Sequence, residues 1–118
     1  MNDKKIGTIY SRFTMHSINK EAASSVYRWC YDTLENNGLL LLEVRTVNDP
    51  LYGQGKQVEK DAFFTDHYRR FVRKAELVTE LEMLGFKIEL AIESTGFARY
   101  KNEDPSVLRI IARKDVSK

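Results

Sequence analysis

The 118-residue chain carries 19 basic and 17 acidic residues, a net charge of +2, with 42% hydrophobic and 31% charged positions. That balance excludes wholesale disorder and gives no drive toward nucleic acid or a membrane surface. The longest apolar run, residues 39–42, is far short of the roughly 20 residues that span a bilayer, so no membrane span is expected. No apolar segment follows Asp3, Lys4 and Lys5, so no secretion signal is expected either. The single cysteine, Cys30, has no partner for an intramolecular disulfide, which fits a cytoplasmic protein.

Residues 6–10 (Ile-Gly-Thr-Ile-Tyr) are β-branched and aromatic, the composition of a strand. Asn19 is a good N-cap for a helix over residues 20–35, in which Ala22, Ala23, Val26, Tyr27, Cys30 and Leu34 recur at helical spacing. Asn36-Asn37-Gly38 is expected to end that helix. The apolar run over residues 39–44 is too short for a helix and predicts a strand buried on both faces. Residues 46–66, punctuated by Asp49-Pro50, Gly53 and Gly55, are expected to form a long loop. Helical periodicity returns over residues 74–84, with Leu77, Val78, Leu81 and Leu84 in one stripe and Gly85 as the stop. Phe86, Ile88, Leu90 and Ile92 then alternate with polar or small residues, predicting a strand. A loop with Gly96 and Asp104-Pro105 leads to a last strand over residues 107–112. Trp29 and the helix stripes are assigned to packing, as are Tyr68 and Phe71, and Cys30 is expected to be a buried small hydrophobe.

Strands alternating with helices indicate an α/β sheet, and the closing strand pair without a helix between indicates an antiparallel last strand. One domain, residues 1–118, is expected.

Several passages are similar in wording to the class I S-adenosylmethionine-dependent methyltransferases. Leu34-Glu35-Asn36-Asn37-Gly38-Leu39-Leu40-Leu41-Leu42-Glu43 resembles their passage from helix through glycine to apolar strand. The entry at Gly85-Phe86 resembles that of their sixth strand. Tyr10-Ser11-Arg12-Phe13 with His16-Ser17-Ile18, Glu43-Val44-Arg45 with Asp49, His67-Tyr68-Arg69-Arg70-Phe71 and Glu93-Ser94-Thr95-Gly96 resemble a bacterial group associated with capsule and surface-polysaccharide biosynthesis. The resemblance implies a partial Rossmann-like fold holding strands four to seven of a seven-stranded sheet, the seventh antiparallel, with two main helices. It also implies S-adenosylmethionine as cofactor.

Dinucleotide and adenosylmethionine sites use a glycine-rich turn between a first strand and a first helix. Nothing before Ile6 supplies one. Gly53-Gln54-Gly55-Lys56 follows no strand and lacks the spacing of a phosphate-binding loop. The cofactor half is therefore expected from a missing amino-terminal segment or a second chain.

Methyl transfer needs an aligned nucleophile and, for a hydroxyl acceptor, a base. The resemblance places Ser11 and Phe13 by the cofactor, and Arg12 and His16 at the reaction, with His16 as base. Glu43, Arg45 and Asp49, at the end of the buried strand, are acceptor-binding candidates, with a structural salt bridge as an equal alternative. His67, Arg69 and Arg70 suit an anionic sugar-type acceptor, because guanidinium matches phosphate and carboxylate. Two histidines and one cysteine without ligand spacing argue against a metal site. The competing reading is a non-catalytic module that self-associates, as a homodimer, through an unpaired strand edge. Nucleic-acid binding through residues 69–74 is a weaker third reading, opposed by the near-neutral charge.

Overall fold

The computed structural model describes residues 5–12, 18–96 and 104–116. Nine elements follow in order: β1 (Ile6–Arg12), α1 (Lys20–Thr33), β2 (Leu34–Arg45), β3 (Lys56–Glu59), β4 (Ala62–Phe64), β5 (Tyr68–Arg70), α2 (Lys74–Leu84), β6 (Phe86–Ser94) and β7 (Val107–Lys114).

The main sheet has the order β1-β2-β7-β6. β1 pairs parallel with β2, whereas β7 pairs antiparallel with both β2 and β6. β1, β2 and β6 therefore point the same way, and the last strand is inserted against them. The registers Leu41↔Ile111 and Leu42↔Ile110 place the two most apolar strands side by side at the centre.

Both helices lie on one face of this sheet. Ala23, Tyr27 and Cys30 from α1 and Leu77 and Leu81 from α2 share a core with Leu40, Leu42, Val44, Leu108, Ile110 and Ala112. Each fully buried Leu or Ile contributes about 1.5–3 kcal/mol of transfer free energy, so this layer dominates the stability. Asn19 caps α1 as its chemistry requires, accepting from the Ala22 N–H at 2.8 Å.

Several sequence expectations need correction. The first helix ends at Thr33 rather than Glu35, because Leu34 adopts an extended backbone and pairs with Ile6. Asn36-Asn37-Gly38 thus lies within the long strand as an irregularity, with Asn37 at φ 68°. A side chain at position 38 would meet the backbone oxygens of Glu35 and Gly7 at 2.9 and 3.0 Å, so glycine is required there. The supposed loop over residues 46–66 holds two of three short strands forming a second sheet, β3-β4-β5. Tyr52 meets Phe63 and Phe71 edge-on, and those two rings tilt against each other at 59°, holding that sheet; so few apolar residues gave little periodicity to detect. In β6 a register shift between Ile88 and Leu90 breaks the alternation. Ala91, not Leu90, therefore packs toward the helices. Trp29 is 55% exposed rather than packed.

Candidate functional site

Ligands of open α/β sheets sit at the carboxyl ends of the parallel strands, where the winding reverses. Here those ends are Arg12, Arg45 and Ser94. Because α1 and α2 share one face, the connections from β1 to β2 and from β2 to β6 wind the same way. No reversal occurs among the described elements, so a crevice of that kind would lie beyond the open edge of β1. Ser11 stands at that edge, its Oγ buried and without a hydrogen-bond partner among the described residues. Among the described residues, that hydroxyl is an unsatisfied polar group bordering such a crevice.

On the face away from the helices, parallel pairing sets Arg12 beside Glu43, and antiparallel pairing sets Glu43 beside Arg109. The buried Glu43 carboxylate accepts from Arg12 Nε at 2.9 Å, from Arg109 Nε at 2.6 Å and from the Tyr10 hydroxyl at 3.1 Å. Both guanidiniums are about half exposed, so they keep solvent on their outer sides. Beside them lies a shallow pocket of about 250 Å³ lined by Tyr10, Leu41, Glu43, Arg109 and Ile111. Arg109 did not figure among the sequence candidates. Its signal was a lone charge within the apolar run of the last strand, which needs a partner once the strand is placed.

Arg45 pairs with Asp49 at 3.1 Å. The Asp49 side chain is fully buried and also accepts from the Leu51 N–H at 2.8 Å and the Ser106 N–H at 3.2 Å. Thr46 and Ser106 join their hydroxyls at 2.8 Å. Asp49 thus ties the segment after β2 to the start of β7. Adjacent residues of a strand face opposite ways, so Arg69 and Arg70 separate. Arg70 turns inward, donating to the Ile18 carbonyl at 3.0 Å, whereas Arg69 is half-buried and donates to the Thr65 hydroxyl at 3.5 Å; His67 and Asp66 form an exposed pair at 2.8 Å. Burial pushes the Tyr27 phenol near Arg70 up to about 12, against the pull of the guanidinium. Phe13 and His16 lie outside the described residues.

Asp61 holds the second sheet to α2. It accepts two bonds from Arg73, at 2.9 and 3.0 Å, and one from Tyr52 at 2.7 Å. Burial raises its carboxyl, but the bonds from Arg73 and Tyr52 and the Arg73 charge outweigh that and hold it below the ordinary range. Among the described residues no cluster of His, Cys, Asp or Glu could hold a metal ion. No described helix is long and apolar enough to cross a membrane.

No family model and no curated relative matches the sequence. Solved structures do match the fold. An S-adenosylmethionine-dependent methyltransferase from Methanosarcina mazei superposes with a TM-score of 0.79 at 17% identity, over 98% of this chain and 62% of its own. The 1,6-didemethyltoxoflavin-N1-methyltransferase of Burkholderia thailandensis, solved with its substrate and S-adenosylhomocysteine, gives 0.67 at 12% identity, over 98% of this chain and 46% of its own. The [4+2]-cyclase SpnF gives 0.67 at 13% identity, over 99% of this chain and 53% of its own. The chain thus spans about half to three-fifths of these proteins' lengths, and a shared fold does not fix a shared reaction. Its mixed sheet and two helices form part of a methyltransferase-like α/β fold.

Proposed function

We propose that this chain is the acceptor-side part of an S-adenosylmethionine-dependent methyltransferase, its main sheet standing for strands four to seven of the seven-stranded fold. The observation that carries the reading is the β1-β2-β7-β6 order, with β7 antiparallel and both helices on one face. A complementing segment, preceding this one in a longer chain or borne by a second chain, supplies the glycine-rich turn and the cofactor pocket beyond β1. Ser11 and Arg12, at the carboxyl end of β1, flank that crevice; the sequence resemblance assigns Phe13 to the cofactor and His16 to taking the acceptor's proton.

The acceptor is an anionic sugar of surface-polysaccharide biosynthesis, nucleotide- or lipid-linked. Its charge is met by exposed His67 and half-buried Arg69, while Asp49 and Arg70 hold the loops that present them. Support for this acceptor comes from the sequence resemblance. The test is transfer of labelled methyl from S-adenosylmethionine to a panel of acidic nucleotide sugars, by the chain co-expressed with the coding sequence immediately upstream. Transfer should require both parts and fall about 100-fold with His16→Ala. No transfer to any sugar would sink the acceptor assignment, and no cofactor binding by the pair would sink the reading itself. The open edge of β1 also supports a second reading, a self-associating module without catalysis, which light scattering on the purified chain would reveal as a dimer.

A further inference from the structure

The two faces of the second sheet differ. Directly opposed residues of antiparallel strands point to the same side, so register sets Lys56, Phe64 and Tyr68 in one row. Glu59, Ala62 and Arg70 form the next row of that face, because side chains two apart along a strand share a side. Phe63, on the other face, packs against Tyr52 and Phe71. The first face is buried at Ala62 and Arg70 and open at Phe64 and Lys56. Arg70 donates to the Ile18 carbonyl at 3.0 Å. The face therefore looks toward the amino end of α1, on the carboxyl-end side of the main sheet.

Phe64 is 47% exposed and meets no other aromatic ring among the described residues. Its backbone is held in place from one side. A side chain at position 55 would collide with the Phe64 carbonyl, and Gly55 sits at φ 90°, where glycine alone is unstrained. Tyr68 is anchored through its hydroxyl, which donates to Glu59 Oε1 at 2.9 Å. Lys56, at the far end of the row, is exposed and has no ion-pair partner among the described residues.

We infer that this row binds a nucleotide, the base stacked on the Phe64 ring and the phosphate at Lys56, which makes the acceptor the nucleotide-linked form. The inference rests on the acceptor reading proposed above and narrows it. Stacking on an aromatic side chain accepts any base, because every base has a flat π-face. An ammonium group serves a phosphate as a point charge. Neighbouring strands lie about 4.8 Å apart, so Lys56 stands one strand from the ring, within the reach of a base to its own phosphate. Glu59, three residues along β3, repels a phosphate from the other end of the face and so fixes the direction of binding. An anionic lipid surface fits less well, since the Asp66 side chain, two residues from Phe64, is 84% exposed.

The test titrates the whole chain, without cofactor, with uridine monophosphate, uridine and ribose phosphate, and follows the backbone amide chemical shifts. Uridine monophosphate should bind about tenfold tighter than ribose phosphate, with the shifts centred on Lys56, Phe64 and Tyr68. Phe64→Ala should weaken it about tenfold. Lys56→Gln should remove most of the weakening seen as salt rises from about 50 to 500 mM. Phe64→Leu keeps the apolar bulk and removes only the aromatic face, so it carries the test should the alanine variant lower the urea midpoint. Equal binding of uridine monophosphate and ribose phosphate would overturn the inference, as would parent-like binding by both Phe64 variants. So would no binding of the nucleotide up to about 10 mM, or attachment to phosphatidylserine vesicles that Phe64→Leu abolishes while nucleotide binding stays unchanged. Failed nucleotide binding leaves methyl transfer to a lipid-linked sugar standing. Failed cofactor binding by the two-part protein leaves nucleotide binding standing and removes its reaction, so the two failures are distinguishable.

Discussion

Asp49→Ala is the substitution that most sharply separates holding a loop from holding a ligand. The carboxylate is fully buried and receives the N–H groups of Leu51 and Ser106 together with the Arg45 guanidinium. Hydrogen bonds to a charged group contribute about 1.5–3 kcal/mol each. The arginine is 16% exposed, and water recovers part of its share. The Ser106 N–H, left buried without a partner, adds its own desolvation penalty of about 1–3 kcal/mol. Breaking such a cluster costs about 3–5 kcal/mol, a large fraction of the 5–15 kcal/mol that holds most domains. Asp49→Asn keeps the size and one acceptor oxygen but not the charge, and should lose about half as much. Urea unfolding followed by circular dichroism measures both variants, with the midpoint falling and the m-value unchanged. A loss below about 1 kcal/mol for the alanine variant would refute the reasoning. So would equal losses in the two variants, which would remove the role of the charge.

Three further outcomes follow from the same contacts. Asp61 has a folded-state pKa below its ordinary value of 3.8, so its stabilisation is present above that value and is lost as pH falls through the folded one. Asp61→Asn should therefore flatten the fall of the urea midpoint below about pH 4, and an unchanged slope would contradict the Arg73–Tyr52 account. Arg70→Ala should cost about 1–3 kcal/mol through its inward bond, whereas Arg69→Ala should stay within about 0.5 kcal/mol; thermal melts compare them. The Cys30 thiol, buried and pushed up to about 11 by burial, should resist a thiol reagent at about pH 8 and react at the rate of unfolding; prompt labelling of folded protein would show it to be accessible.

The sequence carried the main sheet because its signals are local and redundant. Four apolar leucines after Gly38, a helix stripe closed by Gly85 and a β-branched final run each specify an element without help from the others. The three short strands of the second sheet have no such redundancy. Their pairing depends on Tyr52, Phe63 and Phe71 meeting across the fold and on Asp61 reaching Arg73, contacts invisible to periodicity. The register shift in β6 was hidden for the same reason: Phe86, Ile88, Leu90 and Ile92 read as one alternating series, and only pairing with β7 shows the alternation broken between Ile88 and Leu90. Of the candidate site, the neighbourhood of Arg45 with Asp49 was legible as charges after a strand end, whereas the pairing of Arg12 with Glu43 depends on strand register and was not. Which charges turn inward was not, since Arg69 and Arg70 differ only in which side of one strand they occupy.

Calorimetric titration of S-adenosylmethionine tests the two-part account most directly. The chain alone should give no saturable heat up to about 1 mM cofactor, a limit near 4 kcal/mol of binding free energy. Joined by the segment encoded upstream, it should bind one equivalent. Saturable binding by the chain alone, or none by the pair, would contradict the claim that this sheet is one side of a divided cofactor site.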